Sequence, residues 1–289
     1  MSGWIILDKA SGLFSRTASS KVARLFGVKK SGHIGTLDPM ASGVLPIALG
    51  DATKMIHFVE EASGGIKEYL FSLRFGIDTD TLDITGKQVA HNDIIPTDDQ
   101  INNALRDFIG DIEQVPPMYS AIHINGKRAY TFARNGENIE IKPRKIHIYD
   151  LKYNGFDSKS WQFYVKCGTG TYVRSLARDI AQKCGAIATV DMIRRVHTNG
   201  FDIKNAVTLD FLENLVNNGL DINKYLMPLD SGLGDIPVLN LDDKDVIFYK
   251  NGGFIKTAMP DGLFRVYHNT EFVGIGIVTD KQLRPVRTI

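Results

Sequence analysis

Cysteine is scarce. Cys167 and Cys184 are the only two in 289 residues, too few for a disulfide framework and too far apart for the paired ligand spacing of a zinc site. Both are expected to pack as small apolar groups in a reducing compartment. An excess of one charge is also lacking: 34 Lys and Arg stand against 33 Asp and Glu, a formal net charge of +1. A nucleic-acid partner would therefore have to be met by local basic clusters, because the average field is neutral. No hydrophobic run reaches the ~20 residues of a membrane span. The N-terminus, Met1-Ser2-Gly3-Trp4, enters an apolar stretch with no basic region before it, unlike a secretory leader. These absences predict a cytoplasmic protein with no membrane partner. At 43% hydrophobic composition, the chain can still bury a substantial core and hold more than one folding unit.

The pattern along the chain alternates between the two regular periods. Residues 4–7 read as a buried strand, and 15–26 as a helix with Val22, Leu25 and Phe26 inward, stopped by Gly27. Residues 67–75 place Tyr69, Phe71, Leu73 and Phe75 on one face, the period of a half-buried strand. Thr97-Asp98-Asp99-Gln100 reads as a capping box ahead of Ile101, Leu105 and Phe108. A further strand runs through Trp161, Phe163, Val165 and Cys167, and the clearest helix spans 172–184, ended by Gly185. The fold class expected is α+β, on a mixed or antiparallel sheet. Pro228, Gly232, Gly234 and Pro237 interrupt the pattern, so a boundary is expected there, with units at 1–230 and 231–289. Beyond it, 245–250, 263–268 and 272–278 read as short strands of a small β-barrel.

The most unusual segment is Ser31-Gly32-His33-Ile34-Gly35-Thr36-Leu37-Asp38-Pro39-Met40-Ala41-Ser42-Gly43-Val44-Leu45-Pro46. Its glycines and prolines predict a rigid, tightly turned loop. An aspartate before proline is held away from helical geometry, so the chain itself aims the carboxylate, as a catalytic group requires. On local features alone a turn-initiating aspartate is the commoner outcome.

The wider pattern decides in favour of chemistry. Gly-His-x-Gly-Thr-Leu-Asp-Pro resembles the motif around the catalytic aspartate of the bacterial TruB family, the tRNA pseudouridine-55 synthases. Leu7-Asp8-Lys9 is similar to that family's N-terminal motif, Lys67-Glu68-Tyr69 to the segment bearing its active-site tyrosine, and Gly170-Thr171-Tyr172-Val173-Arg174-Ser175-Leu176 to that bearing its arginine. Pro116-Pro117-Met118-Tyr119-Ser120-Ala121 through Gly126-Lys127-Arg128-Ala129-Tyr130, and Ile193-Arg194-Arg195, also match in order. Six ordered matches outweigh the weakness of each short motif. The chain departs from the pattern at Ala10, where proline is usual, and at Ile34, where a smaller residue is common.

The resemblance implies uridine-to-pseudouridine isomerisation in the T-loop of tRNA, without cofactor or metal. It implies Asp38, Tyr69 and Arg174 as catalytic residues, Arg174 pairing with Asp38 and Tyr69 stacking on uracil. His33 would fill the gap left by the flipped base, Ile193 would line the pocket, and Lys9, Lys127, Arg128 and Arg144 would contact substrate or RNA. Further basic residues, Lys21, Arg24, Lys29, Lys30, Arg134, Lys142 and Lys145, would meet phosphate. The family places a flexible RNA-gripping insertion at about 115–145 and a PUA-type RNA-binding domain at the C-terminus. A monomer with no obligatory protein partner is implied. The alternatives are a guide-RNA-dependent pseudouridine synthase, a non-catalytic tRNA-binding or tRNA-folding protein, and a glycosidase; the last is disfavoured by the basic clusters and by the lack of an acid partner for Asp38.

Overall fold

The computed structural model describes residues 1–124, 126–137 and 139–289, and the Arg134 side chain lies outside what it describes. The chain opens with β1 (Gly3–Lys9), α1 (Ser15–Leu25), β2 (Ser31–His33), β3 (Ser42–Leu49) and α2 (Ile56–Ala62). There follow β4 (Lys67–Phe75), β5 (Ile77–Thr79), β6 (Gln88–His91), α3 (Asp98–Leu105) and β7 (Gly110–Gln114). The expected insertion holds β8 (His123–Ile124), β9 (Lys127–Arg128) and α4 (Ala129–Arg134). Next come β10 (Arg144–Phe156), β11 (Trp161–Cys167), α5 (Val173–Lys183), β12 (Ala188–Thr198), β13 (Phe201–Asp202), β14 (Val207–Thr208) and α6 (Leu209–Asn217). The chain ends in β15 (Val238–Leu241), α7 (Asp243–Lys250), β16 (Ile255–Lys256), β17 (Gly262–His268), β18 (Glu271–Thr279) and β19 (Gln282–Thr288).

Among the described residues, ten strands make one sheet of order β14-β1-β3-β12-β4-β11-β10-β7, with β2 beside β3 and β13 beside β12. β1 with β14 and β3 with β12 run parallel, and the other neighbours run antiparallel, so the sheet is mixed. The alternation read in β4 is realised: Tyr69, Phe71, Leu73 and Phe75 are all buried and join the core under α1, α3, α5 and α6. β1 is apolar at successive positions because both faces are covered. Ile5 and Leu7 enter that core, while Trp4 and Ile6 enter a second one. The Thr97 capping box is present, its hydroxyl accepting from Gln100 N and the Gln100 side chain accepting from Thr97 N.

The C-terminal sheet has the order β15-β17-β18-β19-β16. One expected strand is corrected here. Residues 245–250 belong to helix α7, because the Asp242 carboxylate accepts from Lys244 N and Asp245 N as an N-cap. Val246 and Tyr249, three apart, are its buried residues. An apolar run as short as Val246-Ile247-Phe248-Tyr249 fits either period, and the cap decides. Helix α7 packs on both edge strands, β15 and β16, so the sheet curls around Tyr249.

The second core joins the two sheets: Trp4, Ile6, Phe58 and Phe201 meet Leu233, Ile236, Phe272 and Ile275. Trp4 Nε1 donates to Leu229 O at 3.0 Å, and Asp230 accepts from Arg265 Nη1 at 2.9 Å. Phe272→Ala is therefore expected to cost about 3–5 kcal/mol and to lower the urea midpoint of the whole chain. Trp4 and Trp161 fluorescence should report one common transition; two separate midpoints would contradict a shared core.

Candidate active site

The Asp38 loop is held through its own backbone groups, mostly by side chains of neighbouring segments. Ser15 Oγ both donates to Leu37 O at 2.9 Å and accepts from Leu37 N at 3.0 Å. Gly12 N donates to Pro39 O at 2.7 Å, and Ser11 Oγ to Met40 O at 2.8 Å. Ile34, Leu37 and Ala41 are buried beneath. The loop is thus pinned on both sides of Asp38, while the Asp38 side chain itself remains 41% exposed.

Lys9 takes part in that pinning, which corrects its expected role. Its side chain is fully buried, and Nζ donates to Ala10 O at 2.9 Å, Leu13 O at 2.7 Å and Pro39 O at 3.3 Å. An ammonium enclosed by three carbonyls has no face left for RNA. Alternation in β1 would have put Lys9 on the same side as Leu7, and its type alone suggested solvent.

Arg174 approaches from the first turn of α5 and is 4% exposed. The backbone before this turn is fixed by Gln114, whose amide donates to Tyr172 O at 3.2 Å and accepts from Tyr172 N at 2.8 Å. Arg174 Nη2 bridges Asp38 Oδ2 at 2.8 Å and donates to Tyr119 O at 2.9 Å; Nη1 donates to Thr81 O at 2.8 Å and lies 3.7 Å from Asp83 Oδ2. A buried guanidinium with this many fixed acceptors is held in one place and aims the facing carboxylate.

Tyr69 on β4 and Ile193 and Arg195 on β12 complete the floor, Arg195 lying opposite Tyr69 in register. Tyr69 is buried and hydrogen-bonded to Arg195, and burial raises its phenol, with Arg195 opposing, so it is neutral near pH 7. Arg195 is 1% exposed, donating from Nε to Val44 O at 2.8 Å and from Nη2 to Gly35 O at 2.7 Å. Two glycines make room for it. At Gly35 (φ +64°) a Cβ would lie 2.8 Å from Arg195 Nη1, and at Gly43 (φ +100°) only 2.1 Å from Arg195 O; no other residue fits either position.

Asp38, Tyr69, Arg174, Ile193 and Arg195 share a cavity of about 220 Å³ with Lys67 and the 170–173 turn. That lies below the ~300–1,000 Å³ of drug-sized pockets and suits a single base. His33 stands outside it on β2, half-buried, with Nε2 3.2 Å from Thr36 Oγ1. Burial, then Arg195, lowers its pKa, so its ring is uncharged at neutral pH. Lys127, Arg128 and Arg144 are exposed and do not line the cavity, although Arg144 acts on the lining residue Tyr172, whose phenol burial raises and Arg144 lowers.

Three residues of this site have no role assignable from sequence. Arg195 sits within a matched motif, and its position two residues from Ile193 on one strand puts it on the inward face. Asp83 accepts from Thr81 Oγ1 at 3.0 Å and from Thr85 N at 2.9 Å; the dense Asp and Thr content of 78–85 is the available signal. Lys67 figures in the sequence only as the start of the tyrosine segment. Among the described residues, no group of three or more His, Cys, Asp or Glu is placed to hold a metal ion.

The mixed sheet and its helices recur in solved structures. The crystal structure of a Cbf5-Nop10-Gar1 complex matches with TM-score 0.71 at 24% identity, over 99% of this chain and 84% of that one. The fold is that of the pseudouridine synthases. The family model for the N-terminal domain of TruB family pseudouridylate synthases matches 23–173, and those for the tRNA pseudouridylate synthase B C-terminal domain and the pseudouridine synthase II TruB C-terminal region match 174–234 and 237–289. Similar proteins include tRNA pseudouridine synthase B of Caulobacter vibrioides, 42% identical over 87% of this chain and 80% of that protein, and that of Ehrlichia chaffeensis, 40% identical over 99% of both. The chain belongs to the TruB family.

Lys9→Met would leave three carbonyl oxygens without their donor, at about 1–3 kcal/mol for each that water cannot reach. Thermal unfolding should show a loss of roughly 3 kcal/mol, with tRNA affinity retained by the folded fraction. Weakened tRNA binding at unchanged stability would return Lys9 to the RNA interface.

Proposed function

We propose that this chain isomerises a uridine in the T-loop of tRNA, at position 55, to pseudouridine. The observation that carries the reading is the Asp38–Arg174 pair, 2.8 Å apart at the wall of a base-sized cavity. The reaction breaks the bond from ribose C1′ to uracil N1, turns the ring, joins C1′ to C5, and moves a proton from C5 to N1. Nothing is oxidised or lost, so no cofactor is required. Asp38, oriented by Arg174, assists cleavage as electron density leaves C1′. Tyr69 offers its ring to the uracil face, and its neutral phenol is suited to the proton transfer that ends the sequence. Ile193 supplies an apolar wall.

The target base must leave its stack to reach Asp38, and His33 takes its place. An uncharged imidazole favours that role, since stacking among bases removes it from water. Lys127, Arg128 and Arg144, with Lys21, Arg24, Lys29 and Lys30, meet phosphate. Residues 1–230 form the catalytic unit, with the RNA-gripping insertion at about 115–145, and 231–289 form a PUA-like RNA-binding unit. The protein acts as a cytoplasmic monomer without an obligatory partner. Identity of 40–42% to proteins named tRNA pseudouridine synthase B, against 24% to the Cbf5 complex, supports this stand-alone reading over a guide-dependent one.

Tritium release from an unmodified tRNA transcript labelled at uracil C5 tests the reading. The wild-type chain should release it without added cofactor, and Asp38→Asn should release none while binding tRNA normally; turnover by that variant would remove Asp38 from the chemistry. Lys127→Ala with Arg128→Ala should weaken binding and reduce the slope of log K against log salt by about 0.7–0.9 for every phosphate no longer neutralised. An unchanged slope would exclude phosphate contact at the β8–β9 pair.

A further inference from the structure

Lys67 lines the same cavity as Asp38 and Tyr69, yet the mechanism above gives it nothing to do. It opens β4, two residues before Tyr69, so both side chains leave the strand on one face. Its backbone neighbours are Cys167 on β11 and Thr198 on β12. Close by, a Cβ on Gly65 would lie 2.1 Å from Thr169 Cγ2, so this stretch abuts the turn whose Gly170 and Thr171 also line the cavity.

The cavity holds more positive than negative charge. Arg174 is engaged by Asp38, Asp83 and two carbonyls. Arg195 is engaged by Val44 O, Gly35 O and Tyr69. Lys67 makes no hydrogen bond or ion pair among the described residues; the groups it senses are Arg195, which repels it, Cys167 and the more distant Glu60. Burial, then Arg195, lowers its amine from the ordinary lysine value. An ammonium half-removed from water beside another cation is costly unless an anion joins it.

We propose that Lys67 is a further catalytic residue, its Nζ donating a hydrogen bond to a uracil carbonyl oxygen as the base separates from the ribose. This rests on the pseudouridine synthase reading of the site. When the C1′–N1 bond breaks, its electron pair passes to the ring and spreads over the carbonyl oxygens. Lys67 stabilises that charge without giving up its proton. The charge disappears once C5 bonds to C1′, and the hydrogen bond weakens as the product forms. A donor aimed at charge that exists only in mid-reaction accelerates the chemical step more than it tightens binding. A phosphate is the less fitting anion here, because Lys67 shares the inner face with Tyr69 while the exposed cations lie outside.

The test compares wild type with Lys67→Met, Lys67→Gln and Lys67→Arg in single-turnover pseudouridine formation on a tRNA transcript, with tRNA affinity measured across a salt series. Loss of one such donor should slow the reaction by about 100-fold or more in the Met and Gln variants, with affinity and salt slope unchanged. The Arg variant should recover part of the rate. Two neutral replacements of different polarity, each checked by its melting curve, separate a chemical defect from a folding one. An unchanged rate in the folded Met or Gln variant would overturn the inference, as would a defect confined to affinity with the salt slope reduced by about 0.7–0.9, which marks a phosphate contact. In both cases an active wild type leaves the proposed function standing; a wild type that forms no pseudouridine removes the reading on which the inference rests.

Discussion

Arg174 holds its positive charge where water scarcely reaches, and three distant stretches of chain supply the partners of its Nη1 and Nη2. Residue 38 supplies a carboxylate, 81 and 83 a carbonyl and a second carboxylate, 119 another carbonyl, and α5 the arginine itself. These contacts to one buried guanidinium tie the Asp38 loop, the turn after β5, residue 119 and α5 into one arrangement. Residue 119 is thereby linked to Asp38 through one guanidinium. Tyr119 O cannot move away without leaving an N–H of Arg174 Nη2 unpartnered.

The same reasoning explains the glycines of the loop. Arg195 passes beneath it, and only a chain lacking Cβ at positions 35 and 43 can lie so close. What the motif encodes is therefore a space as much as a set of reactive groups. Arg195 in turn tunes its surroundings: it offsets part of the rise that burial causes at Tyr69, depresses His33 and repels Lys67. Burial, with this cation added to it, lowers both the His33 imidazole and the Lys67 amine.

Much of the fold could be read ahead of the structure. The alternation in β4, the capping box before α3 and the apolar stripe of α5 are local patterns, and local patterns survive tertiary packing when one face is buried. The Asp38–Arg174 pairing was legible only through resemblance, since nothing in either segment alone points to the other across so long a separation. What escaped did so for identifiable reasons. Helix α7 looked like a strand because four apolar residues fit both periods, and only the Asp242 cap distinguishes them. Lys9 looked like an RNA contact because lysine is rarely enclosed; its three carbonyl acceptors come from backbone that no side-chain pattern reveals. Asp83 and Arg195 act through residues far away in sequence, so their roles appear only when the strands are registered.

The proposed reaction requires the geometry of the Asp38–Arg174 pair and not merely its charge. Arg174→Lys keeps the charge but removes the planar fork that reaches Asp38, Tyr119 and Thr81 together. Its single-turnover rate on a tRNA transcript is the direct measurement. The account predicts a fall of about 100-fold or more, the scale of a catalytic group displaced by an ångström, at unchanged tRNA affinity. A rate close to that of the wild-type chain would contradict it.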